Sequence, residues 1–269
     1  MITDSQLRQF REDGFVIIPG IAPALLGELQ AAAERVTERA RRGDWANVRK
    51  CGDGDIWGVS SLLHPDLGEP VFARYLASPE VLDTCAALLP GEPLRLSLTN
   101  MLVNPAKADY EIGWHRDAST PNLSPEAEMA MLQGHMASVQ WNAALFAESC
   151  LRFVPGSHRR HLTTEERRIW ASDALAPMPG ELRVHLEPGQ TIYYNSRGLH
   201  KGDYPMRCKR LTLHANIVSL NAKPFAGHYH WVSYMAEPGF GDRLPPALRP
   251  LHQNWLTFAA QIKALETPG

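Results

Sequence analysis

"PLRLSLTNMLVNP", residues 93–105, alternates apolar and polar side chains, with Leu94, Leu96 and Leu98 on one face. A period of two is the mark of a half-buried strand. It decides the fold because the chain reads differently on either side of it. Downstream, "HMASVQWNAALF" (135–146), "LRFVP" (151–155), "RVHLEPGQTIYYN" (183–195) and "RLTLHANIVSL" (210–220) are further strand candidates, separated by Pro and Gly turns. Upstream, the apolar residues recur at helical spacing.

The upstream segment opens on a capped helix. Thr3 and Gln6 have capping-box spacing, Leu7 and Phe10 share a face, and Gly14 supplies a stop. "FVIIP" follows as a short buried strand. From about Ala22 to Arg42, Leu25, Leu26, Leu29, Ala33, Val36 and Ala40 mark an amphipathic helix with a basic end. Residues 43–66, rich in Gly and Asp, read as irregular loop, and "HPD" at 64–66 as a turn because Pro65 disfavours a regular strand. A shorter helix is predicted over Pro79–Leu89. Helices followed by a run of strands argue against alternating βαβ units. They suit a mainly β chain with flanking helices: a sandwich or jelly roll carrying an N-terminal helical layer. We read one domain over 1–269, with the helical layer at about 1–92, the jelly-roll core at about 93–220 and a C-terminal extension at about 221–269. That extension suits a lid, a dimer contact or a closing helix from about Pro250.

A hydrophobic fraction of 44% and a charged fraction of 21% are those of an ordinary globular protein. A net charge of −2 gives no electrostatic reason to expect nucleic acid or an anionic membrane as partner. "MITDSQLRQFREDGF" is too polar for a signal peptide. The four cysteines, Cys51, Cys85, Cys150 and Cys208, are scattered and read as reduced thiols, so the expected setting is cytoplasmic.

The chemistry centres on "IGWHRDAST", 112–120. At strand spacing His115 and Asp117 point to the same side and can reach one ion together. His-x-Asp alone is weak, as the second match at 64–66 shows. His200, directly after the strand-like "QTIYYN", supplies the natural third ligand. Two His and one carboxylate form the facial triad of non-haem Fe(II) oxygenases, whereas a structural zinc site would close every position with protein ligands. Arg210 opens a strand that carries Thr212, His214 and Asn216 on its own face and Leu211, Leu213, Ala215 and Ile217 on the other. A polar strand face suits a pocket wall, and the arginine fork suits a carboxylate such as the 5-carboxylate of 2-oxoglutarate.

Asn100 and Asn104 share a strand face and are candidates for co-substrate hydrogen bonds, with edge chemistry near Pro105 as the alternative. His214 is a pocket candidate, or else a buried, satisfied histidine. His135, Gln140, Trp141 and Asn142 lie on one strand divided between two faces, one of which lines a pocket. Trp141 is carried as a substrate-pocket candidate. His158 reads as a hydrogen-bonded structural histidine. "EERR" at 165–168 reads as the solvated face of a short helix capped by Thr163, with contact to an anionic substrate as the alternative.

"WHRD", "LRFVPGSH" at 151–158, "GQTIYYNSRGLHKG" at 189–202 and the arginine strand occur in this order, after an opening "FREDGFVIIPG" at 10–20. Together they resemble the phytanoyl-CoA dioxygenase family of Fe(II)/2-oxoglutarate oxygenases. The resemblance implies a double-stranded β-helix, His115, Asp117 and His200 as iron ligands, Arg210 gripping 2-oxoglutarate, and O2 as oxidant. It also implies oxidation of a small-molecule substrate, most commonly hydroxylation of an unactivated C–H bond. Related halogenases replace the carboxylate ligand with a small residue, so Asp117 points away from halogenation. The chain departs from the family at Cys150, at the short turn "FAES", at Gln190, and in the spacing of Arg210 from His200, which leaves Arg207 as a fallback anchor. Bacterial members often act on natural-product intermediates or modified amino acids. Two other readings compete: a cupin-type isomerase or lyase, and a jelly-roll binding module without turnover.

Overall fold

The computed structural model describes residues 2–117, 119–134, 136–223 and 229–266. The first helix, α1 (Asp4–Asp13), carries the expected capping box. The Gln6 N–H donates to Thr3 Oγ1 at 3.3 Å, and the Thr3 N–H donates to Gln6 Oε1 at 2.9 Å. Gly14 ends it at φ 86°, and a Cβ built there would fall 2.5 Å from the His158 ring, so both backbone and space require glycine. Strand β1 (Phe15–Pro19) leads into α2 (Pro23–Arg41), whose Leu29, Ala32, Ala33, Val36 and Ala40 are buried.

Residues 43–66 are not the irregular loop that their composition suggests. They contain a hairpin, β2 (Val48–Cys51) and β3 (Asp55–Val59). The Gly and Asp content belongs to its turn, where Gly52 and Gly54 have φ of 47° and 79°. The Asp55 carboxylate accepts from the N–H groups of Ala106 (2.6 Å) and Lys107 (2.8 Å), which fixes the hairpin to the neighbouring loop. "HPD" forms a single 3-10 turn, as expected. Helices α3 (Val71–Leu76) and α4 (Pro79–Leu88) complete the helical layer.

The stretch 93–105 is two strands rather than one, β4 (Leu94–Arg95) and β5 (Thr99–Val103). Between them the Leu98 N–H donates to the Asn216 side chain (3.0 Å) instead of to a ladder partner, and the Leu96 N–H to the Leu251 carbonyl (3.2 Å). Then follow β6 (Tyr110–His115), α5 (Pro125–Gln133), β7 (Ser138–Ala144) and β8 (Glu148–Phe153). Next come α6 (Thr164–Ser172), β9 (Leu182–Leu186), β10 (Gln190–Tyr194), β11 (His200–Tyr204) and β12 (Leu211–Ser219). The closing helix α7 (Arg249–Glu266) begins where the sequence placed it and packs on β4.

The strands pair antiparallel throughout, in two sheets. The larger has the order β1-β10-β7-β12-β5-β3-β2, with β4 also on β12; the smaller is β6-β11-β8-β9. This is the jelly-roll arrangement of the cupin-like folds. Three strands of the larger sheet, β1 to β3, come from the first 92 residues, so the N-terminal region is more than a helical layer. One face of the larger sheet packs on the helices through Val16, Met101, Trp141, Tyr193, Leu213 and Ile217. Between the sheets, Phe15, Leu151, Phe153, Ile192 and Tyr194 close one end, and the other end is open. Among the described residues no helix is long and apolar enough to cross a membrane.

His158 has the structural role expected of it. Its Nε2 lies 3.2 Å from the Arg11 carbonyl oxygen, and its ring packs on Gly14. Burial, opposed by that carbonyl and reinforced by Arg159, holds the imidazole below its ordinary value of 6.5. The neutral form is therefore the folded form. As pH falls below 6.5 the unfolded chain takes up a proton that the native site resists, and stability drops by up to about 1.4 kcal/mol per pH unit. His158→Gln is expected to flatten the denaturation midpoint between pH 7 and 5 relative to the parent chain. Parallel urea titrations check this, and superimposable pH slopes would refute it.

Candidate metal centre

His115 is the last residue of β6 and His200 the first of β11, and the two stand directly opposite in the ladder. Opposed residues on paired strands point the same way, and the two rings lie 4.3 Å apart between centroids. Asp117 sits just past the end of β6, its N–H donating to the Ser196 carbonyl at 2.9 Å. Its Oδ1 lies 3.7 Å from His115 Nε2 and 4.0 Å from His200 Nε2. One donor atom from each of the three falls within 4.8 Å of the others.

The inner nitrogens are already occupied. His115 Nδ1 is 2.8 Å from the Gly113 carbonyl oxygen and His200 Nδ1 is 2.9 Å from that of Gly198. A proton held on Nδ1 leaves each Nε2 as a bare lone pair facing Asp117, the tautomer that a metal requires. Burial, with His115 next, pushes the His200 imidazole down to about 4, so it stays neutral. The side chains of His115 and Asp117 are 33% and 41% exposed against 5% for His200. The donors thus converge from one side, and the opposite side opens into a cavity of about 720 Å³. Two imidazoles and a carboxylate in this arrangement suit a six-coordinate ion with open positions, as the facial triad provides.

Arg116, between His115 and Asp117 in the chain, points into the protein. Its Nη1 donates to Glu128 Oε1 at 2.6 Å, and its Nη2 to the carbonyls of Ser157 (2.8 Å) and Arg160 (3.0 Å). Glu128 also receives the Leu162 N–H and the side chains of Arg167 and His161. The remaining cations, Arg160 and Arg168, pair with Glu166 and Glu165. The stretch is solvated only in part, because Glu166 is buried in the capping box with Thr163 and Arg167 reaches out of the helix to Glu128. Glu128→Ala leaves the buried Arg116 without its counter-charge. We expect a loss of about 3–5 kcal/mol in unfolding free energy and Fe(II) binding weakened by roughly 10–100-fold. Chemical denaturation and competitive metal titration read the two effects, and an unchanged iron affinity would deny Glu128 a part in positioning the ligands.

The wall opposite the triad is built by β12 and β7. Arg210 is almost wholly buried at the cavity edge, 4.3 Å over the Tyr204 ring. Its Nε lies 3.3 Å from Glu148 Oε2, and its Nη1 donates to the Asp203 carbonyl at 3.3 Å. Burial alone would lower its affinity for the proton, but Glu148 and Tyr204 outweigh that and raise it. Arg207, the fallback anchor, is exposed and outside the cavity. His214 lines the cavity, its Nδ1 2.8 Å from Asn142 Oδ1.

Three candidates fall elsewhere. Trp141 faces the helices, not the cavity: it is fully buried, and its indole N–H donates to Tyr75 Oη at 3.0 Å. Its neighbours Gln140 and Asn142 face the cavity in its place. Asn104 is occupied by backbone, accepting from the Arg210 N–H (3.3 Å) and donating to the Met206 carbonyl (3.1 Å), so it fixes the start of β12. Asn100 is buried behind the wall. With its amide oriented to satisfy both ends, Oδ1 accepts from Arg49 Nη2 (3.1 Å) and Nδ2 donates to Ser60 Oγ (3.2 Å). His135 lies outside the described residues. Arg49, Trp57, Tyr194 and Tyr204 also line the cavity, and sequence reading singled out none of them. The signal for the first two was the glycine turn at Gly52–Gly54 alone, because the arms "VRKC" and "DIWGV" do not alternate.

A family model described as phytanoyl-CoA dioxygenase matches residues 10–203. No curated protein matches the sequence. Among solved structures, AviO1 from Streptomyces viridochromogenes Tue57 is similar at TM-score 0.63 and 22% identity, covering 83% of this chain and 99% of its own. EctD from S. alaskensis, with 2-oxoglutarate and 5-hydroxyectoine, is similar at TM-score 0.65 and 20% identity over 92% and 86% of the two chains. The epimerase SnoN, in complex with Fe3+, alpha ketoglutarate and nogalamycin RO, is similar at TM-score 0.56 and 23% identity over 88% and 90%. At these identities the likeness speaks for the fold.

Proposed function

We propose that this chain, which belongs to the phytanoyl-CoA dioxygenase family, oxidises an unactivated C–H bond of a small organic molecule, with hydroxylation as the outcome. Fe(II), 2-oxoglutarate and O2 are the cofactor and co-substrates of that family. The observation that carries the reading is the convergence of His115, Asp117 and His200 on one point at the edge of the cavity. Iron, 2-oxoglutarate and O2 together supply an oxidant able to break such a bond, with succinate and CO2 as co-products.

The chain's own residues do the rest. His115 and His200, locked by the Gly113 and Gly198 carbonyls, would hold the metal with Asp117 and leave its cavity side open. Arg210 would grip the 5-carboxylate of 2-oxoglutarate, its plane set by the Tyr204 ring. Leu98, Leu102, Ile112 and Leu151 give the cavity apolar walls that keep bulk water from the reacting carbon. His214 and Asn142, bonded to each other, offer the substrate a polar handle. A natural-product intermediate or a modified amino acid fits a cavity of this size and mixed lining.

The test is an anaerobic titration of metal-free protein with Fe(II) and 2-oxoglutarate, read by the weak visible charge-transfer band of the chelate. A band that bleaches on adding O2, with succinate formed, supports the reading. Tight Fe(II) binding with no band would sink it and favour a metal-dependent isomerase or lyase. With a substrate in hand, product mass separates outcomes: one added oxygen for hydroxylation, two hydrogens lost for ring closure, no change for epimerisation.

A further inference from the structure

We propose that Arg49 is a specificity-determining residue that anchors a carboxylate of the substrate to be oxidised, so that the substrate is an organic acid. The inference rests on the function proposed above and narrows it.

Arg49 stands on β2, where the hairpin folds over the cavity. Its guanidinium stacks over two indoles, 5.0 Å from the Trp57 ring and 4.8 Å from that of Trp231. Among the described residues no carboxylate lies within ion-pair distance of it. The buried cations nearby differ. Arg210 has Glu148 at 3.3 Å, and Lys201 has Glu111 at 2.6 Å and Asp203 at 3.6 Å. Among the described residues the buried Nε of Arg49 has no hydrogen-bond partner, and its Nη2 donates to the neutral Asn100 amide. Burial dominates its electrostatics and disfavours the charged form, and Tyr204 and the Asp117 carboxylate oppose it only in part.

A largely desolvated cation with no carboxylate in ion-pair contact is unfavourable, and two aromatic faces relieve only part of that. The unfavourable remainder disappears when an anion enters. Two rings stacked against the guanidinium also narrow how it enters, and its N–H edge matches a carboxylate bidentately.

The position separates this site from the co-substrate's. Tyr204 lies 4.3 Å from Arg210 and 5.2 Å from Trp57, and Trp57 lies 5.0 Å from Arg49. Two guanidiniums thus line one cavity with two aromatic rings between them. 2-Oxoglutarate on Arg210 and a second acid on Arg49 can be held together, with the substrate's body lying in that cavity beside the triad.

The experiment uses acid and amide pairs of the same shape: benzoate and benzamide, 3-phenylpropionate and its amide, 2-naphthoate and 2-naphthamide. Each is titrated calorimetrically into protein loaded anaerobically with Fe(II) and 2-oxoglutarate. At least one acid is expected to bind roughly tenfold or more tightly than its amide. Arg49→Met should remove that preference and Arg49→Lys restore part of it, with the 2-oxoglutarate affinity unchanged in both. The inference is overturned if no acid outbinds its amide, if Arg49→Met keeps the preference, or if it weakens 2-oxoglutarate instead, which would make Arg49 the co-substrate anchor. Loss of the charge-transfer band in the parent chain would fail the proposed function, and the same titrations without 2-oxoglutarate would still decide Arg49.

Discussion

Asp117→Ala is expected to bind Fe(II) at least about a hundredfold more weakly than the parent chain, since losing an outer hydrogen-bond partner alone weakens metal sites by 10–100-fold. The variant should show no charge-transfer band with 2-oxoglutarate and no 2-oxoglutarate oxidation above background. Its fold should be intact. The Asp117 side chain is 41% exposed, and what fixes its backbone is the N–H bond to the Ser196 carbonyl, which alanine keeps. Melting of the metal-free proteins should therefore coincide within a few degrees. Fe(II) should raise the midpoint of the parent chain by mass action and leave the variant unmoved. His200→Ala would lose metal equally but is a poorer test, because His200 is buried against Phe153 and Tyr194 and its loss leaves a void. An Asp117→Ala protein that kept the band would remove the carboxylate from the ligand set.

The candidate triad was legible through the His-x-Asp spacing and chain order. His115 ends β6 and His200 opens β11, and the register that sets them opposite each other is a property of the fold that those strands build. The polar face of β12 was legible through strand parity. Trp141 was not, because parity says which residues share a face and not which face is inside. The ladder resolves it: Gln140 and Asn142 stand opposite Asn216 and His214, whereas Trp141 stands opposite Ala215. Matching the two polar rows would have excluded the tryptophan. Arg49 was hidden differently. Gly and Asp dominate the composition of 43–66, so the hairpin arms vanished into their own turn. The contacts that give Arg49 its meaning come from Trp57, Asn100 and Trp231, and Trp231 lies 182 positions away in the chain. Asn104 stayed between two readings, and the backbone one holds, because a side chain that satisfies neighbouring backbone looks, in sequence, the same as one that meets a ligand.

Arg210 and Glu148 carry the second large effect, and the pair separates stability from binding. Both side chains are about 1% exposed, with 3.3 Å between Nε and Oε2. Glu148 is held in turn by the Cys150 N–H (3.0 Å) and the Thr212 hydroxyl (3.2 Å), so it cannot swing out to water when its partner is lost. Arg210→Met should therefore lower the unfolding free energy by about 3–5 kcal/mol, most of it from the stranded carboxylate. The same variant should lose 2-oxoglutarate binding, and that loss alone is ambiguous because a loosened wall would produce it too. The double variant Arg210→Met, Glu148→Met removes both charges and keeps the volume, so most of the stability should return. Binding should not return with it. A double variant as stable as the parent but unable to bind 2-oxoglutarate makes the guanidinium the anchor itself. If binding came back with stability, Arg210 would be a structural counter-ion to Glu148, and the 5-carboxylate would have to be held elsewhere on the wall. Arg49, which lines the cavity with no carboxylate within ion-pair distance among the described residues, is then the residue to examine.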